Sequence, residues 1–253
     1  MRFFSMFGGL LLAGAALAQN TSCSPKSSDA AVVEYAYALQ GLLERYYTSQ
    51  PINQTFLQTA TNGSRLEYYQ NLLGIQRQNR LGVRALQVVG AKVPGYSNPR
   101  CNYSVPRASS GEQYVTIALG LEADVAAAFI GATAYTQSPE VSFILARLAA
   151  VHTADTTWLA AGQKGIIFPS NTSSLVPAFN PAYVLGLGNE TGRLGRYLPN
   201  CVSAPSSPCD QPFFIGPLVG SVGNRTSAAA GPSSSVPSPS ISPTAAARNR
   251  FAI

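Results

Sequence analysis

The chain has 253 residues, 46% of them hydrophobic and only 11% charged, with four cysteines, one histidine and a formal net charge of +6. A single histidine argues against serine or cysteine triads, and the absence of any C-x-x-C pair argues against a zinc site or a thiol redox motif. The positive charge is spread out, with no basic, aromatic-interleaved motif, so nucleic acid is not an expected partner.

In chain order, residues 1–18 read as a signal peptide. Arg2 supplies the positive start, Phe7 to Leu17 the apolar run, and Ala16-Leu17-Ala18 a small-x-small cleavage site, with Gln19 as the mature start. The run is short for a bilayer span, and no other segment reads as long and apolar enough for one. The mature chain is therefore expected to be secreted, with no membrane span. Its net charge would be +5, the +6 less Arg2.

An even number of cysteines, Cys23, Cys101, Cys201 and Cys209, suits an oxidising compartment. The expected pairs are Cys201–Cys209, close in sequence, and Cys23–Cys101, tying the N-terminal segment (19–28) to the loop after the second helix. Sequons at Asn20, Asn53, Asn62, Asn102, Asn171, Asn189 and Asn224 point to a glycoprotein.

Apolar spacing places the first helix at 29–49, with Val33, Ala36, Leu39/Gln40, Leu43 and Tyr47 on its buried stripe. The second helix, 64–90, carries Leu66, Tyr69, Leu72/Leu73, Gln76, Asn79, Val83 and Leu86. Its Arg77, Arg80 and Arg84 form the densest basic patch, read as a solvated face. Gly90 caps it, and the Pro-rich loop 94–112 is long enough to cross over along a bundle. Two further helices, 112–136 and 139–162, break at Gln137-Ser138-Pro139. The third buries Glu122 in an apolar run, and the fourth sets His152 and Asp155 three residues apart on its apolar stripe. Trp158, Tyr35, Tyr37 and Tyr135 read as core or interface aromatics.

Beyond these helices the composition shifts. Residues 162–221 are rich in Gly, Pro, Asn and Ser, with a short helix expected around Asn189–Leu198, and read as a segment wrapping the bundle. Residues 222–253 are a Ser/Pro/Ala-rich tail without enough apolar content to fold, expected to be disordered.

Four long apolar helices with a long crossover between the second and third describe an all-α, ferritin-like four-helix bundle over residues 29–221. The chain resembles the secreted ferritin-like domain proteins of fungi, which include stress-response and sexual-development members. The likeness is carried by VVEYAYALQGLLERYY, by Cys101-Asn102-Tyr103 with Val105-Pro106, by LGLEADVAAAFIGA, by ILARLAAVHTADTTWLA and by PAFNPAYV. Metal-binding members of this fold use one Glu on each of two helices and a Glu-x-x-His on each of the other two. Carried over here, the first Glu falls on Gln40. The first Glu-x-x-His falls on Gln76-x-x-Asn79, or on Gln78-x-x-Leu81 in a shifted register. The second Glu is Glu122, and the last motif becomes His152-x-x-Asp155. The resemblance therefore implies a degenerate di-metal site.

Gln40, Gln76 and Asn79 read as hydrogen-bonded core amides. For Glu122, His152 and Asp155 two readings stand: a metal-free network with His152 protonated between two carboxylates, or a mononuclear iron or manganese site. The favoured function is a non-enzymatic, extracellular or cell-wall protein without catalytic residues or cofactor, with cell-wall components as candidate partners. Its stress or developmental role is implied by the resemblance alone. The alternatives are a metal-dependent oxidoreductase using that trio, and a small apolar ligand-binding module in the bundle core.

Overall fold

The computed structural model describes residues 24–63, 65–163, 167, 178–186 and 192–207, all within one unit spanning Met1–Gly223. The elements are α1 (Ala30–Ser49), a short α2 (Gln54–Leu57), α3 (Leu66–Gly90), α4 (Gly111–Ala132), α5 (Pro139–Gln163) and a short α6 (Pro181–Leu185). Three 3-10 turns lie at Ser27–Asp29, Thr133–Tyr135 and Gly195–Tyr197. Among the described residues there is no strand.

Local chemistry sets the ends of these helices. Asn53 and Ser110 cap α2 and α4 by accepting from the backbone N–H of Phe56 and of Gln113. Asp29 at the head of α1 accepts from the Lys26 N–H and from the Thr136 hydroxyl, tying that end to the α4–α5 turn. Pro139 opens α5, where its missing N–H costs nothing.

Helices α1, α3, α4 and α5 form the bundle. The Tyr46 hydroxyl, late in α1, donates to the carbonyl of Tyr114, early in α4, so these two run antiparallel. Lys92, just past α3, pairs with Glu140 at the start of α5, making that pair antiparallel too. Thr116, early in α4, bonds Gln163, at the end of α5, so α4 and α5 are antiparallel as well. Helices α3 and α4 therefore run in the same direction, and residues 91–110 must return the length of the bundle between them. That is the crossover topology of a ferritin-like bundle, as the sequence leads one to expect.

Burial on α1 is wider than one stripe. Val32, Tyr35, Ala38, Leu42 and Tyr46 are buried as well as Val33, Ala36, Leu39, Leu43 and Tyr47. The crossover supplies the extra cover. Tyr103 lies so close to Gly41 that a Cβ there would sit 2.1 Å from its hydroxyl oxygen. Gln50 fixes the end of the crossover by exchanging two 2.8 Å hydrogen bonds with the Ala108 backbone.

Two expectations need correcting. Cys101 bonds to Cys201, with Cα atoms 4.8 Å apart, so neither Cys201–Cys209 nor Cys23–Cys101 forms. Proximity in sequence was a poor guide, because the Ser104 N–H donates to the Tyr197 carbonyl and brings the crossover and the C-terminal segment together. Cys23 and Cys209 lie outside the described residues. Secondly, Gly111–Tyr135 is long and apolar enough, with a mean hydropathy of 1.7, to cross a membrane by length and composition alone. In the bundle it is the central core helix, and most of that window is buried.

The described part of the C-terminal segment grips α4. The Phe179 N–H donates to the Ala127 carbonyl at 2.9 Å. Gly131 permits this approach, since a Cβ there would stand 1.9 Å from the Phe179 carbonyl oxygen. Arg193 bonds Asp124 at 2.7 Å and stacks over Phe179. Helix α6, capped by Asn180 with Pro181 in its first turn, is absent from the sequence reading although Asn-Pro is a helix-start signal. Of the helix expected around Asn189–Leu198, residues 189–191 lie outside the described set, and the rest holds the Gly195–Tyr197 turn. The expected signal peptide at 1–18 and the expected tail at 222–253 also lie outside it.

Candidate functional site

Seven polar or charged residues are buried among those described: Asp29, Gln40, Asn79, Glu122, Ser138, His152 and Asp155. Four of them, one from each bundle helix, close a hydrogen-bonded ring at mid-bundle. Gln40 Nε2 on α1 donates to Asn79 Oδ1 on α3 at 2.8 Å. Asn79 Nδ2 donates to Glu122 Oε1 on α4 at 3.2 Å. Glu122 Oε2 meets His152 Nδ1 on α5 at 2.6 Å, and His152 Nε2 returns to Gln40 Oε1 at 2.9 Å.

The proton count of this ring follows from its neighbours. Gln40 Nε2 also faces the Asn79 backbone carbonyl, and Asn79 Nδ2 faces the Ile75 carbonyl. Backbone carbonyls only accept, so both amides are fixed with their NH2 groups towards those oxygens. Gln40 Oε1 is then an acceptor, and His152 Nε2 must donate to it. The short contact between His152 Nδ1 and Glu122 calls for a second proton between them. With that proton on the imidazole, the ring holds an imidazolium against an ionised Glu122 and is electrically neutral.

Such a ring answers the usual objection to buried charge. An ion pair in a low-dielectric interior is tolerable when every remaining donor and acceptor is satisfied. Here both Glu122 oxygens, both His152 nitrogens and all the amide hydrogens of Gln40 and Asn79 have partners. A glycine makes room for it. A Cβ on Gly82 of α3 would lie 2.6 Å from the Gln40 amide carbon. The Phe129 ring closes one side, its centroid 5.5 Å from that of His152.

Asp155 is the outlier. It can reach within 4.8 Å of both Glu122 and His152, yet its Oδ2 has no hydrogen-bond partner. Burial first, and the Glu122 charge second, push its carboxyl from 3.8 up to about 7, against the opposing pull of His152. The expected placement of His152 between two carboxylates is therefore corrected: its partners are Glu122 and the Gln40 carbonyl. An amide carbonyl takes the place of the second acid because α1 brings Gln40 to that nitrogen first.

The other expected positions separate cleanly. Asn79 is buried in the ring, whereas Gln78 and Leu81 are exposed, which selects the Gln76-x-x-Asn79 register. Gln76 is half-buried and turned away from the ring, donating to the Tyr47 carbonyl at 2.7 Å. Tyr35 and Tyr135 are core residues, and Trp158 packs against Tyr68 with the rings tilted by 32° and centroids 4.9 Å apart. The sequence reading missed Tyr47 and Tyr114 as members of this layer. Their buried hydroxyls lack hydrogen-bond partners. Burial holds both phenols well above their ordinary range, followed by the Glu122 charge at Tyr47 and by Tyr46 and then Glu122 at Tyr114. A tyrosine on an apolar stripe gives no sign in sequence of what its hydroxyl faces.

A two-metal centre does not fit these residues. The amide NH2 groups of Gln40 and Asn79 point into the ring as donors, and donors repel a cation. A single ion is a different matter. Glu122, Asp155 and His152 Nδ1 could hold one, with Nε2–H kept on Gln40 in the way metal-bound histidines are commonly oriented. The Nδ1 proton and the ion would compete for one lone pair.

A shallow depression lined by Ile130, Thr133, Ala146, Ala149, Ala150, Thr153 and Ala154 opens on the surface of the α4–α5 pair, outside the bundle core. It is no apolar chamber of the kind an interior ligand would need.

No curated protein matches the chain by sequence. The model of the ferritin-like domain matches residues 28–164, a stretch that takes in all four bundle helices and all four members of the ring. The chain belongs to the ferritin-like domain family.

Proposed function

We propose that this is an exported, glycosylated ferritin-like protein in which a proton-filled polar ring stands where metal ligands stand in metal-binding bundles, and that it acts without catalysing a reaction, outside the cell or in its wall. The observation that carries this reading is the closed ring itself. Gln40, Asn79, Glu122 and His152 satisfy one another so completely that a metal would have to break the His152–Glu122 bond to enter. The Cys101–Cys201 bond supports export, since disulfides persist in oxidising compartments. Exposure of Asn53, Asn62 and Asn102 supports glycosylation there. The sequons at Asn20, Asn171, Asn189 and Asn224 are outside the described residues. A stress or developmental role, and binding to wall components, rest on the family resemblance.

One observation favours a second reading. The unpartnered Asp155 Oδ2, beside Glu122 and His152, is what a mononuclear iron or manganese oxidoreductase would use as its third ligand. Such an ion would supply redox or Lewis-acid chemistry, while this chain's part would be to orient His152 through Gln40 and Glu122 through Asn79. Metal analysis of the protein purified without chelator, with melting curves before and after EDTA, separates the two. The ring reading expects substoichiometric iron and manganese and an unchanged melting temperature. Stoichiometric metal, with a melting temperature that falls on chelation and recovers on adding iron or manganese, would replace it with the second reading.

A further inference from the structure

The solvent face of α3 is a long surface feature that neither the bundle nor its ring explains. Projected at about 100° per residue, Leu66, Gln70, Leu73, Arg77, Arg80, Leu81, Arg84 and Val88 fall within one arc about 100° wide. Leu66, Leu81 and Val88 are 55%, 54% and 62% exposed, which makes them three of the most exposed large apolar side chains described. The three arginines between them are exposed too. No acid falls in the arc. Glu67 lies at its edge, and Glu44 of α1 reaches only Arg80, at 3.8 Å. Arg77 and Arg84 make no ion pair with any described residue.

We propose that this face of α3 docks on an anionic lipid surface. The mixture is what selects that occupant. Three cations along one stripe call for an anionic partner, and lipid headgroups supply the charge. Aliphatic side chains interleaved with them have no use against a purely ionic polymer, but would seat just below such headgroups while the long arginine stems carry their guanidinium groups up to the phosphates. A second copy fits poorly, because a two-fold pairing of this face would set arginine against arginine. The helix lies on the surface by this reading and does not span it, so the buried side of the bundle is untouched. The inference is independent of whether the ring holds protons or a metal.

The test is flotation of the full, secreted protein with vesicles of phosphatidylcholine alone or mixed with phosphatidylserine. Binding to the mixed vesicles only, weakened by salt, is expected. Arg77→Gln and Arg84→Gln should each lower the partition coefficient roughly fivefold. Leu81→Ser and Val88→Ser should lower it several-fold each, although they leave the charge unchanged. All four positions are solvent-facing, and unchanged melting curves would show that the variants fold. Failure to bind the mixed vesicles would overturn the proposal. So would binding that responds to the arginines but not to Leu81 or Val88, which marks a polyanion surface. A dimer in sedimentation that Leu81→Ser disperses would overturn it in favour of a contact between copies.

Discussion

Gly82 offers the sharpest perturbation of the ring, because its Cβ position is occupied by the Gln40 amide, 2.6 Å away. Gly74, on the same helix, is the matched control, with nothing within 4 Å of a Cβ built there. Gly74→Ala should therefore show the plain helix-propensity gain of about 1 kcal/mol. Gly82→Ala gains the same amount in the helix but drives Gln40 out of the ring. The lost bond to the charged His152 is worth about 1.5–3 kcal/mol and the one to Asn79 about 1 kcal/mol, so the net effect is a loss of roughly 2 kcal/mol. At about 2–4 °C per kcal/mol for a domain of this size, Gly82→Ala should melt several degrees lower and Gly74→Ala a few degrees higher. The assay is thermal and urea unfolding of both variants, repeated in a Gln40→Ala background. There the displaced amide is gone, and the cost of Gly82→Ala should disappear. A Gly82→Ala variant as stable as Gly74→Ala in the native background would refute the placement of Gln40 in the ring.

Asp155 makes stability depend on pH. Its folded carboxyl titrates at about 7 against 3.8 in the unfolded chain, so its contribution is full below pH 3.8 and is lost as pH rises through about 7. Asp155→Asn should remove that decline and raise stability above about pH 8 by at most about 4 kcal/mol, read from urea midpoints across pH. A variant with the same slope as the parent would show that Asp155 is not the titrating group. His152→Ala should destabilise by about 3–5 kcal/mol at neutral pH by leaving Glu122 buried without its counter-charge, seen in the same unfolding curves. Non-reducing peptide mapping should recover Cys101 joined to Cys201. Replacing both by serine should cost about 2–5 kcal/mol, since the bond closes a separation of 100 residues. A peptide joining Cys201 to Cys209 would contradict the crossover clasp.

Periodicity carried most of the fold. Long stretches with apolar residues every three or four positions had to be helices, and Pro139 had to start one. Glu122, His152 and Asp155 were legible as a site because acids and a histidine are rare on apolar stripes. What stayed hidden depended on three dimensions. Gln40 was recognisable as an amide on a buried stripe, but only the approach of α1 to α5 shows that its carbonyl takes the place expected for a second carboxylate. Gly82 looks like any helix glycine until the Gln40 side chain is seen to fill its missing Cβ. The disulfide was misread for a related cause: Cys101 and Cys201 are far apart in sequence, and meet only because the crossover runs beside the Gly195–Tyr197 turn.

The central claim is that the ring is closed by protons. His152 is the only histidine in the chain, so its imidazole can be followed without ambiguity by proton–nitrogen NMR of labelled protein. At neutral pH both ring nitrogens should carry a proton and show imidazolium shifts, with two slowly exchanging N–H signals that neither EDTA nor added iron or manganese alters. An unprotonated or metal-bound Nδ1 in the protein as purified would contradict the account.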